Sequence, residues 1–140
     1  MPLSVRNYEV DWQGIVHNAV YLLYFEVARL EYLRRLGLEV TLASIRGESR
    51  VVLARNEIDY RTPATFGDNL SVYTRIASIR NTSFVFEGII EHASTRRVVS
   101  ENTAVHVWLN GRTGEPERVS DEFRTRVRAF EGDSVVITMP

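Results

Sequence analysis

The segment Asp11-Trp12-Gln13-Gly14-Ile15-Val16-His17-Asn18 gathers the groups in this chain best suited to chemistry. Asp11 is a carboxylate set among the apolar residues Val10, Trp12 and Ile15. Gly14 lets the backbone turn tightly or come close to a ligand. A helix begins near Asn18, and its first turn presents N–H groups without intrahelical acceptors at the positive end of the helix dipole. A carboxylate beside such donors suits acyl transfer. The N–H groups hold a carbonyl oxygen as it gains negative charge. The carboxylate attacks the carbonyl carbon or activates a water. The plainer role for an Asp ahead of a helix is a cap or a turn. Asp11 lies too far from the helix start to cap it, and Asn18 is the better cap candidate.

Other polar residues rank below Asp11. His17 could orient water, shuttle a proton or line a pocket. Tyr21 and Tyr24 read as core residues with satisfied hydroxyls, the default for buried Tyr. Tyr21 is the preferred pocket-liner, one helical turn past the candidate oxyanion donors. Glu26 and Arg29 have the spacing of a simple i,i+3 pair. Arg96, Arg97, Arg124, Arg126 and Arg128 read as solvated faces. His92 and His106 fall on predicted strands far apart in sequence, and no two histidines stand at metal-ligand spacing, so no metal is expected; acyl transfer by a carboxylate calls for no cofactor either.

The elements that must position these residues follow from hydrophobic periodicity. A strand is predicted at Leu3–Val10. The helix runs from Asn18 to Leu36, with Gly37 as its C-terminal stop. Its first half is apolar nearly all round, which predicts burial. Its second half turns polar, with Glu31 and Arg35 at i,i+4 on an exposed face. The period then changes to 2. Val51–Arg61 places Val52, Ala54, Ile58 and Tyr60 on one side. Leu70–Ile79 follows, then the turn Arg80-Asn81-Thr82, then Ser83–His92 with Phe84, Phe86 and Ile90 together. Arg97–Leu109 carries Val99, Val105, Val107 and Leu109. Ser120-Asp121-Glu122 opens a short helix, and Val135–Thr138 adds a last strand. A strand, one long helix and four strands in meander order indicate an α+β fold with an antiparallel sheet. The exposed sheet edges and second face point to oligomerisation.

Composition narrows the chemistry further. The 140 residues read as one domain, 1–140, with 44% hydrophobic and 25% charged residues and a net charge of −1. Cysteine is absent, and all 17 basic residues are arginine. That excludes thiolate nucleophiles, disulfides and Cys-ligated metals. It also excludes Schiff bases and a lysine P-loop. Near-zero charge argues against bulk nucleic-acid binding. The N-terminus lacks the apolar core of a secretory signal, and no apolar run approaches a membrane span, so a cytoplasmic protein is expected.

From Tyr8 through Arg29 the sequence resembles the hotdog-fold acyl-CoA thioesterases, in particular the 4-hydroxybenzoyl-CoA thioesterase group and its Tol–Pal-associated relatives. The likeness rests on D-x-x-G-x-V at Asp11–Val16, followed by a helix with Tyr21 and the run Glu26-Val27-Ala28-Arg29. It continues through Tyr60–Asp68 and Arg80–Phe84. The resemblance implies an antiparallel sheet wrapped around one central helix. It implies that Asp11 is the catalytic carboxylate, as nucleophile or general base. It places Gly14, Val16, His17 and Asn18 where a helix N-terminus polarises the thioester carbonyl, through the N–H of Asn18 or a neighbour. It implies that Arg80, Asn81 and Thr82 meet the nucleotide end of coenzyme A, where an arginine suits a phosphate. It implies a homodimer, often doubled to a tetramer, with the site at the interface and acyl-CoA or acyl-carrier protein as substrate. Two other hotdog activities remain open: a non-catalytic acyl-thioester binding module, and an enoyl-thioester hydratase or dehydratase, since His17 lies close to Asp11. The Asp-first order and Gly14 favour the thioesterase.

Overall fold

A computed structural model describes residues 1–38 and 47–138. The elements in order are β1 (Pro2–Ser4), a 3-10 turn (Asn7–Glu9), α1 (Asn18–Arg35), β2 (Ser49–Tyr60), β3 (Asn69–Ile79), β4 (Ser83–His92), β5 (Val98–Asn110), α2 (Asp121–Glu131), a second 3-10 turn (Gly132–Ser134) and β6 (Val136–Ile137). The sheet order is β1-β3-β4-β5-β2, with β6 added in parallel beside β3. All other pairings are antiparallel.

The long helix and the strand pairs emerge where the periodicity placed them, with differences that have local causes. The predicted strand Leu3–Val10 stops at Ser4, because the carboxylate of Glu9 folds back on the N–H of Arg6 and closes a 3-10 turn. Only β3, β4 and β5 form a meander. β2 crosses to the far side of β5 instead of pairing with β3. Ala54 is the extra residue of a bulge between Leu53 and Arg55. A bulge reverses the alternation. Val52 therefore pairs with Val107 on one face, while Ile58 and Tyr60 pair with Asn102 and Ser100 on the other. In β5 the inward face carries Ser100, Asn102, Ala104, His106 and Trp108, and the valines 105 and 107 point outward with Val85 and Ser83.

Helix α1 lies across the inner face of the sheet. Its buried side is Tyr21, Tyr24, Phe25, Ala28, Arg29 and Tyr32. The expectation that the first half is buried all round fails within one chain: Leu23 and Val27 are 58% and 54% exposed. Glu31 pairs with Arg34 and Arg35 on the outer face, as the spacing predicts, and both arginines pull its carboxyl down to about 2. Arg29 does not hydrogen-bond Glu26. It turns inward, and its Nη1 donates to Asn102 at 3.1 Å. The helix ends in a Schellman turn, with Gly37 at φ +80 and the N–H of Leu38 on the carbonyl of Leu33.

Two apolar clusters fill the space between helix and sheet. One joins the start of α1 to Val5, Leu70, Val72, Ile90 and Val99. The other joins the end of α1 to Ile76, Ile79, Phe84, Phe86, Val119 and Val127. The first cluster supports the loop that carries Asp11. The second supports the Arg80–Thr82 turn.

Candidate functional site

Residues 9 to 17 form a small hairpin. The N–H of His17 donates to the carbonyl of Glu9 at 3.0 Å, Val10 bridges Val16, and the N–H of Asp11 donates to Ile15 at 2.9 Å. Gly14 closes the tip at φ +84, a backbone conformation that favours glycine, and its N–H donates to the Asp11 carbonyl at 3.0 Å. The Asp11 carboxylate accepts the N–H of Gln13 through Oδ1 at 2.8 Å. That contact fixes the orientation of the side chain, and its Oδ2 has no partner among the described residues. Buried Val16 anchors the hairpin, with its N–H on the carbonyl of Ala64 at 2.8 Å. Trp12 beside Asp11 is 98% exposed.

The hairpin leads directly into α1, and His17, not Asn18, caps it. The Nδ1 of His17 accepts the N–H of Ala19 at 3.1 Å. The carbonyl of His17 accepts the N–H of Val20 at 2.9 Å. An imidazole that accepts through Nδ1 carries its proton on Nε2. The helix start is thus sorted: His17, Ala19 and Val20 have spent their N–H groups, and Asn18 has not. Among the described residues the N–H of Asn18 has no acceptor, which makes it the oxyanion donor this turn can offer.

Two buried tyrosines brace this arrangement, and their hydroxyls are satisfied as expected. Tyr21 accepts the N–H of Ala64 at 3.1 Å, and burial raises its pKa. Tyr24 donates to Glu9 Oε1 at 2.9 Å, and burial followed by this bond pushes its pKa up. Glu9 was not among the residues singled out from the sequence. It is 8% exposed, and its carboxylate also accepts the backbone and side-chain N–H groups of Arg6. Its position between Tyr8 and Val10, two residues before Asp11, was the available signal. Tyr60, equally unsuspected, donates to the carbonyl of Asn18 at 3.1 Å, and its ring lies tilted 5.7 Å from that of Tyr21.

The structure brings Asp11, Gly14, Val16, His17, Asn18 and Tyr21 together. It does not bring Arg80, Asn81 and Thr82 to them within one chain. The hairpin leans on Ala64 and Thr65, just before β3, whereas the turn follows the end of β3. That strand separates them by about 33 Å at the usual rise per residue. The turn has its own support, which overturns one expectation: Arg124 is buried rather than solvated, at 6% exposure. A groove of about 560 Å³ lies elsewhere again, on the outer sheet face between Glu57, Tyr73, Arg75, Glu87, Ile89 and Glu101.

No helix among the described residues is long and apolar enough to cross a membrane. No described group of three His, Asp or Glu residues is placed to hold a metal ion.

Comparison with known proteins agrees with this architecture. The model of the thioesterase-like superfamily matches residues 5–127. The acyl-acyl carrier protein thioesterase ATL3 of Arabidopsis thaliana is 27% identical over 128 residues, covering 91% of this chain and 66% of that protein. The chain therefore spans just under two thirds of the length of this plant relative. The acyl-CoA thioester hydrolase YbgC of Escherichia coli O6:H1 is 32% identical over 106 residues, covering 75% of this chain and 72% of the relative. A crystal structure of a thioesterase complexed with coenzyme A and Zn from Thermus thermophilus superposes with TM-score 0.80 at 31% identity, covering 94% of this chain and 92% of that one. With its antiparallel sheet closed over one central helix, this chain belongs to the thioesterase-like superfamily and has the hotdog fold.

Proposed function

We propose that this protein hydrolyses acyl thioesters of coenzyme A or acyl-carrier protein, with Asp11 as its catalytic carboxylate. The observation that carries the reading is the sorted helix start, where one N–H is left without an acceptor at the end of the hairpin that holds Asp11. The thioester carbonyl docks on the N–H of Asn18. Asp11 either attacks the carbonyl carbon, giving a mixed anhydride that water opens, or takes a proton from the water that attacks. The C–S bond breaks, the thiolate leaves, and the products are a carboxylic acid and a thiol. A thiolate is a good leaving group, so no cofactor is needed. The names of the relatives support both carriers: one acts on acyl-carrier protein and another on acyl-CoA.

The working unit in this reading is a homodimer, paired again in a tetramer. Its support is the apolar surface that one chain leaves in water. β2 pairs with β5 on one side, and its Val51, Val52 and Leu53 are 44%, 43% and 47% exposed. Leu23 and Val27 of α1 add to it. An edge strand of this kind is a template for another chain. A twofold axis that joins two β2 edges antiparallel reverses the strand direction. It thus carries the Arg80–Thr82 turn of one subunit toward the Asp11 end of the other.

The test is Asp11→Asn assayed against a panel of acyl-CoA esters with a thiol reagent. Turnover should fall by at least about 100-fold with the circular dichroism spectrum unchanged. Hydrolysis at the native rate would sink the role of Asp11.

A further inference from the structure

The guanidinium of Arg124 is nearly enclosed by protein, and backbone carbonyls surround it. Nε donates to Val119 at 2.9 Å, and Nη1 to Thr138 at 3.3 Å. Nη2 donates to Arg80 at 2.6 Å and to Asn81 at 3.1 Å. The N–H of Val119 also donates to Asn81, at 2.8 Å. The two carbonyls on Nη2 belong to successive peptide groups, and the other ends of those groups are the N–H of Asn81 and the N–H of Thr82. In a trans peptide the C=O and the N–H point in opposite directions. Drawing both carbonyls inward therefore turns both N–H groups outward. Neither has an acceptor among the described residues.

We propose that Arg124 is a positioning residue that makes Arg80-Asn81-Thr82 an anion-binding turn, with the N–H groups of Asn81 and Thr82 receiving a phosphate group. Successive backbone N–H groups facing the same way form a concavity suited to anions. A cation on the carbonyl side polarises each peptide group and strengthens its donor. Arg80 is exposed on the same turn and adds a second positive charge from the solvent side. The acid next to this region, Asp121, is engaged by Arg118 at 2.5 Å and so does little to oppose an anion. This inference rests on the reading that the turn meets the carrier of the thioester. It changes the donors from one arginine side chain to two amides held by a buried one. The phosphate has two possible sources, the nucleotide of coenzyme A or the phosphopantetheine arm of a carrier protein.

The experiment follows backbone amides by NMR while the wild-type protein is titrated with coenzyme A, with 4′-phosphopantetheine and with inorganic phosphate. The Asn81 and Thr82 amides should move with coenzyme A, and their movement should be reduced at least threefold in Arg124→Met and partly restored in Arg124→Lys. Movement with coenzyme A alone assigns the nucleotide phosphates; equal movement with 4′-phosphopantetheine assigns the phosphate of the carrier arm. In steady-state assays Arg124→Met should raise KM for acyl-CoA about tenfold, with kcat falling less than twofold. Amides that stay still in the wild-type protein, or that move equally in Arg124→Met, would overturn the proposal. Loss of hydrolysis in Asp11→Asn with the amide shifts intact separates this inference from the catalytic one.

Discussion

At the scale of single residues, the site depends on groups whose work is to occupy other groups. Glu9 shows this best. Its carbonyl takes the N–H of His17, and its carboxylate joins Arg6 to Tyr24 on the second turn of α1. Asp11 is thereby tied to the helix that begins at Asn18. Glu9→Ala should cut kcat by about 10-fold or more while KM moves less, because misplacement acts on the reacting geometry. Glu9→Gln keeps an acceptor for Tyr24 and should recover most of that loss. Tyr24→Phe should not add to Glu9→Ala, since the contact it removes is already lost there. Steady-state kinetics of the three variants and the double variant check this, and additive losses would refute it. The tight turn that carries Asp11 ahead of an apolar helix was legible in the sequence, from Gly14 and the apolar run that follows. Its support was not. The identity of the cap depended on which side chain folded back on Ala19. The burial of Arg124 depended on carbonyls from residues 80, 81, 119 and 138, which no local pattern joins.

At the scale of elements, the helix and most strand bounds could be read from periodicity, because burial on one face imposes that period. Strand order could not, since β2 and β5 pair across a long stretch of intervening chain and alternation does not record a partner. The bulge at Ala54 could not either, as one extra residue shifts the pattern without a sequence mark. The contact of helix with sheet is close enough to test directly. Gly88 on β4 faces Phe25 of α1, and a Cβ placed there would lie 2.7 and 2.8 Å from the ring. The ring is fixed in the core at 1% exposure, so it cannot swing into water. Gly88→Ala should cost about 1–3 kcal/mol through overpacking, seen as a lower urea midpoint with an unchanged slope. Gly14→Ala differs in cause, since nothing lies within 4 Å of its added Cβ and only the positive φ resists.

At the scale of the whole molecule, helix and sheet enclose polar groups between two apolar clusters. Arg29, Asn102 and Asn56 are linked there by hydrogen bonds, and the Nδ1 of His106 is buried with no partner among the described residues. Burial, with the Arg29 charge adding to it, pushes His106 down to about 4. The unfolded chain binds a proton at this histidine near pH 6.5, the ordinary value, and the folded chain resists it until about 4. Its contribution to stability is therefore whole above pH 6.5 and is lost as the pH falls toward 4. The loss should be about 1–2 kcal/mol, below the full proton-binding difference because part of the ring stays in water. Urea melts across that range should show the decline, and His106→Gln should flatten it. A slope unchanged in His106→Gln would assign the decline to other groups.

The strand that parts Asp11 from the Arg80–Thr82 turn has a genetic consequence. If each reaction draws its carboxylate from one subunit and its phosphate-holding turn from the other, two defective chains can repair one another. A mixed dimer of Asp11→Asn with Arg124→Met contains one site damaged twice and one site damaged not at all. Co-expressed under separate affinity tags and purified through both, such a hybrid should hydrolyse acyl-CoA with the wild-type KM at half the wild-type kcat. A hybrid that keeps the raised KM of Arg124→Met would mean that each subunit works with its own turn.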